Sequence, residues 1–145
     1  MLKNVIGLMS GTSMDGVDAA YLKTNGIDFI ETGMAITLPY SDSFRNELSE
    51  VVSKGLYSKN VEYQITNIHA DAVKHLIEKN GDSRGFVDLI GFSGHTIFHI
   101  PDEKKTLQIG DGAMLSDLIG IDVVCDFRSN DLINGGQGAP LAPVY

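Results

Sequence analysis

The sequence predicts an α/β fold in which three antiparallel strands are extended by parallel ones and flanked by helices. Three observations carry this. Val5–Met9, Val17–Leu22 and Ile27–Leu38 are apolar runs separated only by turn residues, and strands joined by such short turns pair antiparallel. Two stretches of helical spacing follow, Phe44 to Val52 and Val61 to Lys79. Val87–Phe92 is then a short, nearly continuous apolar run, the pattern of a strand covered on both faces and reached through a helix.

In chain order, the first two runs flank Ser10-Gly11-Thr12-Ser13-Met14-Asp15-Gly16, read as a seven-residue hairpin loop. Asn25-Gly26 turns the chain into the third strand. There Ile30, Thr32, Met34, Ile36 and Leu38 share one parity, and Pro39 ends it. Ser41 or Asp42 caps the first helix, whose Phe44, Leu48, Val51 and Val52 lie at helical spacing, and Gly55 closes it. Val61, Ile65, Ile68, Ala72, Leu76 and Ile77 form the apolar stripe of the second helix, with Asn80-Gly81 as its stop. His69 and His75, six apart on that helix, do not share a face and read as surface or packing residues. Leu107–Ile109 is a short strand. Asp111 caps a helix carrying Met114, Leu115, Leu118 and Ile119 on one face, and Gly120 terminates it. Ile121–Cys125 is another buried strand, and an Asn134–Pro140 loop follows.

A chain of 145 residues is one domain by size, able to bury roughly 70% of its unfolded surface. Its net charge of −8, with no Lys/Arg cluster, argues against nucleic acid and anionic membrane as partners. Cys125 is a lone cysteine in an apolar run. It reads as a buried, inert thiol and fits a reducing, cytoplasmic location. No apolar run approaches the ~20 residues of a membrane span, and Ser10 interrupts the N-terminal one too early for a signal peptide.

Candidate chemistry gathers at strand exits. Gly11 and Gly16 allow a close main-chain approach, Ser10, Thr12 and Ser13 add hydroxyls, and successive loop N–H groups can cradle an anion. The same composition also makes an ordinary hairpin turn. Asp15 and Asp18 would hold a cation or position a donor. Ser93-Gly94-His95-Thr96 leaves the Val87–Phe92 strand at the edge where ligands of open α/β sheets sit. His95 serves either a ligand or the loop backbone. His95 and His99 are four apart, but Ile97, Phe98 and Pro101 argue against a helix, and no third zinc ligand lies nearby. Asp126 and Arg128 read as functional, Arg128 forking onto a carboxylate or phosphate; the alternative is a mutual surface pair. Gly135-Gly136-Gln137-Gly138 reads as too flexible for packing, and Asp131 as a helix-start cap. Gly11–Gly16 leads into a strand, whereas a dinucleotide fingerprint must open a helix.

The stretch GLMSGTSMDGVDAA resembles the N-terminal signature of the anhydro-N-acetylmuramic acid kinases, sugar kinases of the actin-like, hexokinase-like superfamily. Gly91-Phe92-Ser93-Gly94-His95-Thr96, Thr106–Gly110 and Val123–Arg128 with Gly135–Leu141 agree with it in order. The family often has Ser-His-Gly-Gln-Thr where this chain has Phe-Ser-Gly-His-Thr. The resemblance implies an actin-like (ribonuclease H-like) N-terminal lobe over residues 1–145, with a second lobe as partner and scope for a homodimer. It implies a cytoplasmic enzyme of cell-wall (peptidoglycan) recycling that uses ATP and Mg²⁺ to hydrolyse a 1,6-anhydro sugar and phosphorylate its O6. Gly11, Thr12, Ser13, Met14, Asp15, Gly16, Val17 and Asp18 would then meet ATP, with Asp15 and Asp18 near the metal. Ser93, Gly94, His95, Thr96, Asp126, Arg128, Gly135, Gly136, Gln137 and Gly138 would line the sugar side. The family's catalytic aspartate lies in an Asp-Thr-Gly-Pro-Gly-Asn stretch that this chain lacks, so no catalytic base is assigned here. An actin-like nucleotide-binding fragment or subunit without catalysis of its own is the other reading.

Overall fold

The computed structural model describes residues 1–80 and 86–139. Three strands, β1 (Lys3–Ser10), β2 (Gly16–Thr24) and β3 (Ile30–Pro39), precede helices α1 (Asp42–Lys54) and α2 (Lys59–Asn80). Then come β4 (Leu89–Ile100), a 3₁₀ turn (Pro101–Glu103), β5 (Lys105–Ile109), α3 (Gly112–Ile119), β6 (Val123–Cys125) and the short α4 (Ser129–Ile133). The sheet order is β3-β2-β1-β4-β5, with β6 also on β4. β1–β2 and β2–β3 are antiparallel, while β4 is parallel to β1 and β6 parallel to β4. This mixed sheet of antiparallel and parallel strands, with its flanking helices, is consistent with the actin-like, ribonuclease H-like lobe.

Helix ends follow the expected chemistry. Ser41 Oγ accepts from the Phe44 amide at 3.2 Å, Asp111 Oδ1 from the Met114 amide at 3.0 Å, and Gly55 and Gly120 close their helices in the left-handed conformation. Strand alternation builds the core. Ile6 and Leu8 of β1, Val17, Ala19 and Tyr21 of β2, and Ile90 and Phe92 of β4 are buried with Leu48 of α1 and Val61, Ile65, Ala72, Val73 and Leu76 of α2. Each large aliphatic side chain sequestered this way stabilises the fold by about 1.5–3 kcal/mol.

Several expectations are corrected. The sheet is not covered on both faces: Gly7, Met9, Asp18 and Ala20, pointing away from the core, are exposed. The small residues there leave a broad concavity. β4 does not stop at Phe92. It continues to Ile100, because its second half finds an antiparallel partner in β5. Ser93–Thr96 is therefore strand, not exit loop. The first loop is five residues long, since Ser10 and Gly16 both pair in strands, and the third strand starts at Ile30. The strand at 121–125 shortens to Val123–Cys125. Val124 and Cys125 are exposed, so the thiol is not buried. His69, by contrast, is completely buried. The turn dipeptide's Gly81 lies outside the described residues.

Candidate functional site

Ser10 ends β1, and the loop Gly11–Asp15 leaves from it. The Met14 amide donates to Gly11 O at 3.0 Å, and Met14 takes φ 55°, a left-handed turn that reverses the chain. The loop is held from behind by Tyr40, between β3 and α1. Its amide donates to Asp15 O at 3.0 Å and its phenol pairs with Ser10 Oγ at 2.6 Å, so one residue grips both ends. Arg45 of α1 adds a third tie, Nε to Met14 O at 3.1 Å. Burial pushes the Tyr40 hydroxyl up to about 12, keeping it a proton donor at neutral pH. Thr12 and Ser13 are exposed, and their amides and hydroxyls take no acceptor among the described residues. Four donors thus stay without an acceptor among the described residues, in a loop fixed on its inner side.

β4 passes beside this loop, Ser10 pairing with His95. A kink makes room: Gly94 sits at φ 67°, and a Cβ there would lie 2.7 Å from Ile109 O. His95 Nδ1 meets Ser10 Oγ at 2.8 Å, so the ring is engaged with Ser10, the last residue of β1. Burial lowers its pKa. Thr96 Oγ1 donates to Gln108 Oε1 at 2.6 Å. Two concavities flank this segment and share Ser93. One, about 260 Å³, is lined by Gly94, Gln108, Cys125 and Asp126 as well. The other, about 510 Å³, lies on the open sheet face between Gly7, Asp18, Ala20, Phe127 and Arg128.

Asp126 has φ 57°, and its Oδ1 accepts from the amide of Ser129, the first residue of α4, at 3.2 Å. The hydrogen bonds from Ser129 hold its carboxyl below the usual range. Asp131, expected as the cap, lies inside α4. Its carboxylate accepts the Gly138 amide at 2.7 Å and its carbonyl the Gly136 amide at 2.8 Å. A Cβ on Gly136 would collide with that carboxylate. Arg128 does not pair with Asp126: its Nη1 donates to Gly138 O at 2.9 Å. His99 closes the other side, Nε2 to Gln137 O at 2.9 Å and Nδ1 against Thr106 Oγ1 at 3.1 Å. The glycine-rich loop is therefore packed, contrary to its sequence reading, because three neighbouring side chains take up its polar groups.

The structure brings Asp18, Ser93, Gly94, Asp126 and Arg128 onto the two concavities that share Ser93. Val17 points into the core, and neither His95 nor Thr96 lines either of these two concavities. Tyr40, Arg45 and His99 were missed. They stand outside the glycine motifs, and only the fold brings them there; Tyr40 directly before the Ser41 cap was the one local hint. No group of three or more His, Cys, Asp or Glu converges among the described residues. Asp18 accepts from Thr37 Oγ1 at 2.6 Å while remaining exposed. Such isolated carboxylates suit Mg²⁺, which keeps several waters and takes few protein ligands.

The profile of the anhydro-N-acetylmuramic acid kinase family matches residues 3–145. The chain belongs to this family. Relatives named anhydro-N-acetylmuramic acid kinase include that of Rhizobium etli, 43% identical across 100% of this chain and 42% of its own length. That of Paramagnetospirillum magneticum is 49% identical across 97% of this chain and 39% of the relative, and that of Brucella canis 44% across 99% and 41%. The chain thus spans about two-fifths of the length of these kinases.

Proposed function

We propose that this chain is the N-terminal lobe of an ATP-dependent kinase of 1,6-anhydro-N-acetylmuramic acid, acting in the cytoplasm in peptidoglycan recycling. Family membership supports a kinase of this sugar, and ATP use follows from that class. The observation that carries the reading is the first loop: exposed Thr12 and Ser13 donors on a braced turn, beside two concavities that share Ser93. Phosphoryl transfer needs positioning and neutralisation of charge more than covalent chemistry. Amide donors supply this on an acidic chain without clustered lysines.

In this reading Gly11–Asp18 receives the polyphosphate, with Asp15 and Asp18 toward a hydrated Mg²⁺ that offsets its charge. Ser93, Gly94, Asp126 and Arg128 face the sugar, bordered by Thr96 and Gly135–Gly138, and His95 supports Ser10 from behind. Water opens the anhydro bond at the anomeric carbon, and the freed O6 takes the γ-phosphoryl group. The base that activates this water comes from the second lobe, so this chain alone turns over nothing measurable. Titration calorimetry tests the reading. ATP binding that tightens when the anhydro sugar is present supports it. ATP binding indifferent to sugar favours a non-catalytic actin-like fragment, and robust ADP release by this chain alone contradicts the division of labour.

A further inference from the structure

The peptide that joins Met14 to Asp15 is held at one end only. Its carbonyl, Met14 O, accepts from Arg45 Nε at 3.1 Å, and the next carbonyl, Asp15 O, accepts from the Tyr40 amide at 3.0 Å. No peptide bond among the described residues is cis, and in a planar trans peptide the N–H points opposite to the C=O. With Met14 O drawn toward Arg45, the Asp15 N–H therefore points away from that side chain. This N–H has no acceptor among the described residues, and Asp15 is exposed. The loop thus carries a main-chain donor beyond those of Thr12 and Ser13, and one side chain sets its direction.

The placing of Arg45 has no other evident reason. It is the fourth residue of α1, close to the positive end of the helix dipole, where a cation is disfavoured. Its ion pair with Asp42, Nη1 to Oδ1 at 3.9 Å, joins two exposed side chains and contributes little. Met14 in turn stands at φ 55°, a left-handed conformation that residues bearing a Cβ adopt only at a cost. Its side chain packs against the core and its carbonyl is taken by Arg45, which together hold the turn in that form. We propose that Arg45 is a positioning residue for the first loop: by holding Met14 O it aims the Asp15 N–H at the anion the loop receives. The guanidinium stays on the inner side and touches no ligand. Asp15 then meets both charges, its N–H a phosphate oxygen and its carboxylate the hydrated cation. This rests on the phosphate reading of the loop.

Two substitutions separate the hydrogen bond from the charge. Gln places its amide nitrogen as many bonds from Cα as Arg places Nε, and donates without a charge; Met matches the length and donates nothing. In the ligand-free 145-residue chain, the Arg45 Nε–H should exchange slowly and show a scalar coupling to the Met14 carbonyl carbon. A freely exchanging, uncoupled Nε–H overturns the proposal, and this result needs no variant to fold. Arg45→Met should shift and broaden the Asp15 amide resonance, and Arg45→Gln should leave it near its wild-type position. An Asp15 amide that is the same in all three proteins also overturns the proposal. By titration calorimetry MgATP should bind about tenfold more weakly to Arg45→Met and near-normally to Arg45→Gln. Equal weakening in both assigns the effect to the charge and overturns the positioning role, as does undiminished binding to Arg45→Met. A wild type that does not bind MgATP sinks the phosphate reading, while the ligand-free spectra still decide whether Arg45 sets the Asp15 amide.

Discussion

The molecule carries two glycine-bearing loops, Gly11–Asp15 and Gly135–Gly138, in opposite condition. In Gly11–Asp15 the ties run to the inner side, from Tyr40 and Arg45, and the Thr12 and Ser13 donors stay open. In Gly135–Gly138 the polar groups are taken internally, by Asp131, Arg128 and His99. Glycine content therefore does not decide whether a loop binds anything. What decides is which side its neighbours hold. A loop braced from behind presents donors to a ligand at no cost of reorganisation, whereas one clamped at its own amides serves as a wall.

The largest expected effect is that of acid. His69 is completely buried on α2, and burial pushes its pKa down to about 4 from an ordinary value near 6.5. Between these values the unfolded chain binds a proton that the folded chain refuses. Stability therefore falls as pH drops from about 6.5 to about 4 and is level, for this group, below that. The difference comes to about 3 kcal/mol, with His95 acting in the same direction. Urea unfolding at pH 7 and pH 4.5 checks it, and His69→Gln should flatten the dependence. Next in size is the clamp. Gly136→Ala drives a Cβ into the Asp131 carboxylate and should cost about 1–3 kcal/mol by thermal or urea melts. Thr12 and Ser13 should still respond to nucleotide. His99→Ala, removing a partly exposed tie, should lower stability by about 1 kcal/mol. The smallest change in stability, within about 0.5 kcal/mol, is expected for the pair Thr12→Val and Ser13→Ala. Calorimetry should nonetheless show weaker nucleotide binding in that pair, and equal binding would remove the hydroxyls from the site.

Much of this was legible in the chain. Ser41, Gly55, Asp111 and Gly120 each mark a helix end by local chemistry, and the three antiparallel strands follow from apolar runs joined by short turns. Of the α2 stripe, Val61, Ile65, Ala72 and Leu76 face the core as read, whereas Ile77 is exposed and the buried His69, Ala70 and Val73 lay outside it. Signals set by distant partners were not legible. β4 runs on through Ser93–Thr96 only because β5 returns beside it, and the exposure of Cys125 depends on β6 lying at the sheet's end. The left-handed Asp126 turns its carboxylate onto the Ser129 amide, and Asp131, inside the helix, reaches the Gly138 amide across the loop. Among candidate site residues, the glycine and hydroxyl motifs were readable, while Tyr40, Arg45 and His99 act across the fold. Among the described residues no helix is long and apolar enough to cross a membrane.

The decisive measurement is a backbone-amide NMR titration of the 145-residue chain with MgATP. Shifts should be largest at Thr12 and Ser13, spread to Gly11 and Asp15, and be small at Gly136 and Gly138, whose amides are already engaged. Perturbation centred on Gly135–Gly138, with Thr12 and Ser13 silent at saturation, would contradict the role assigned to the first loop.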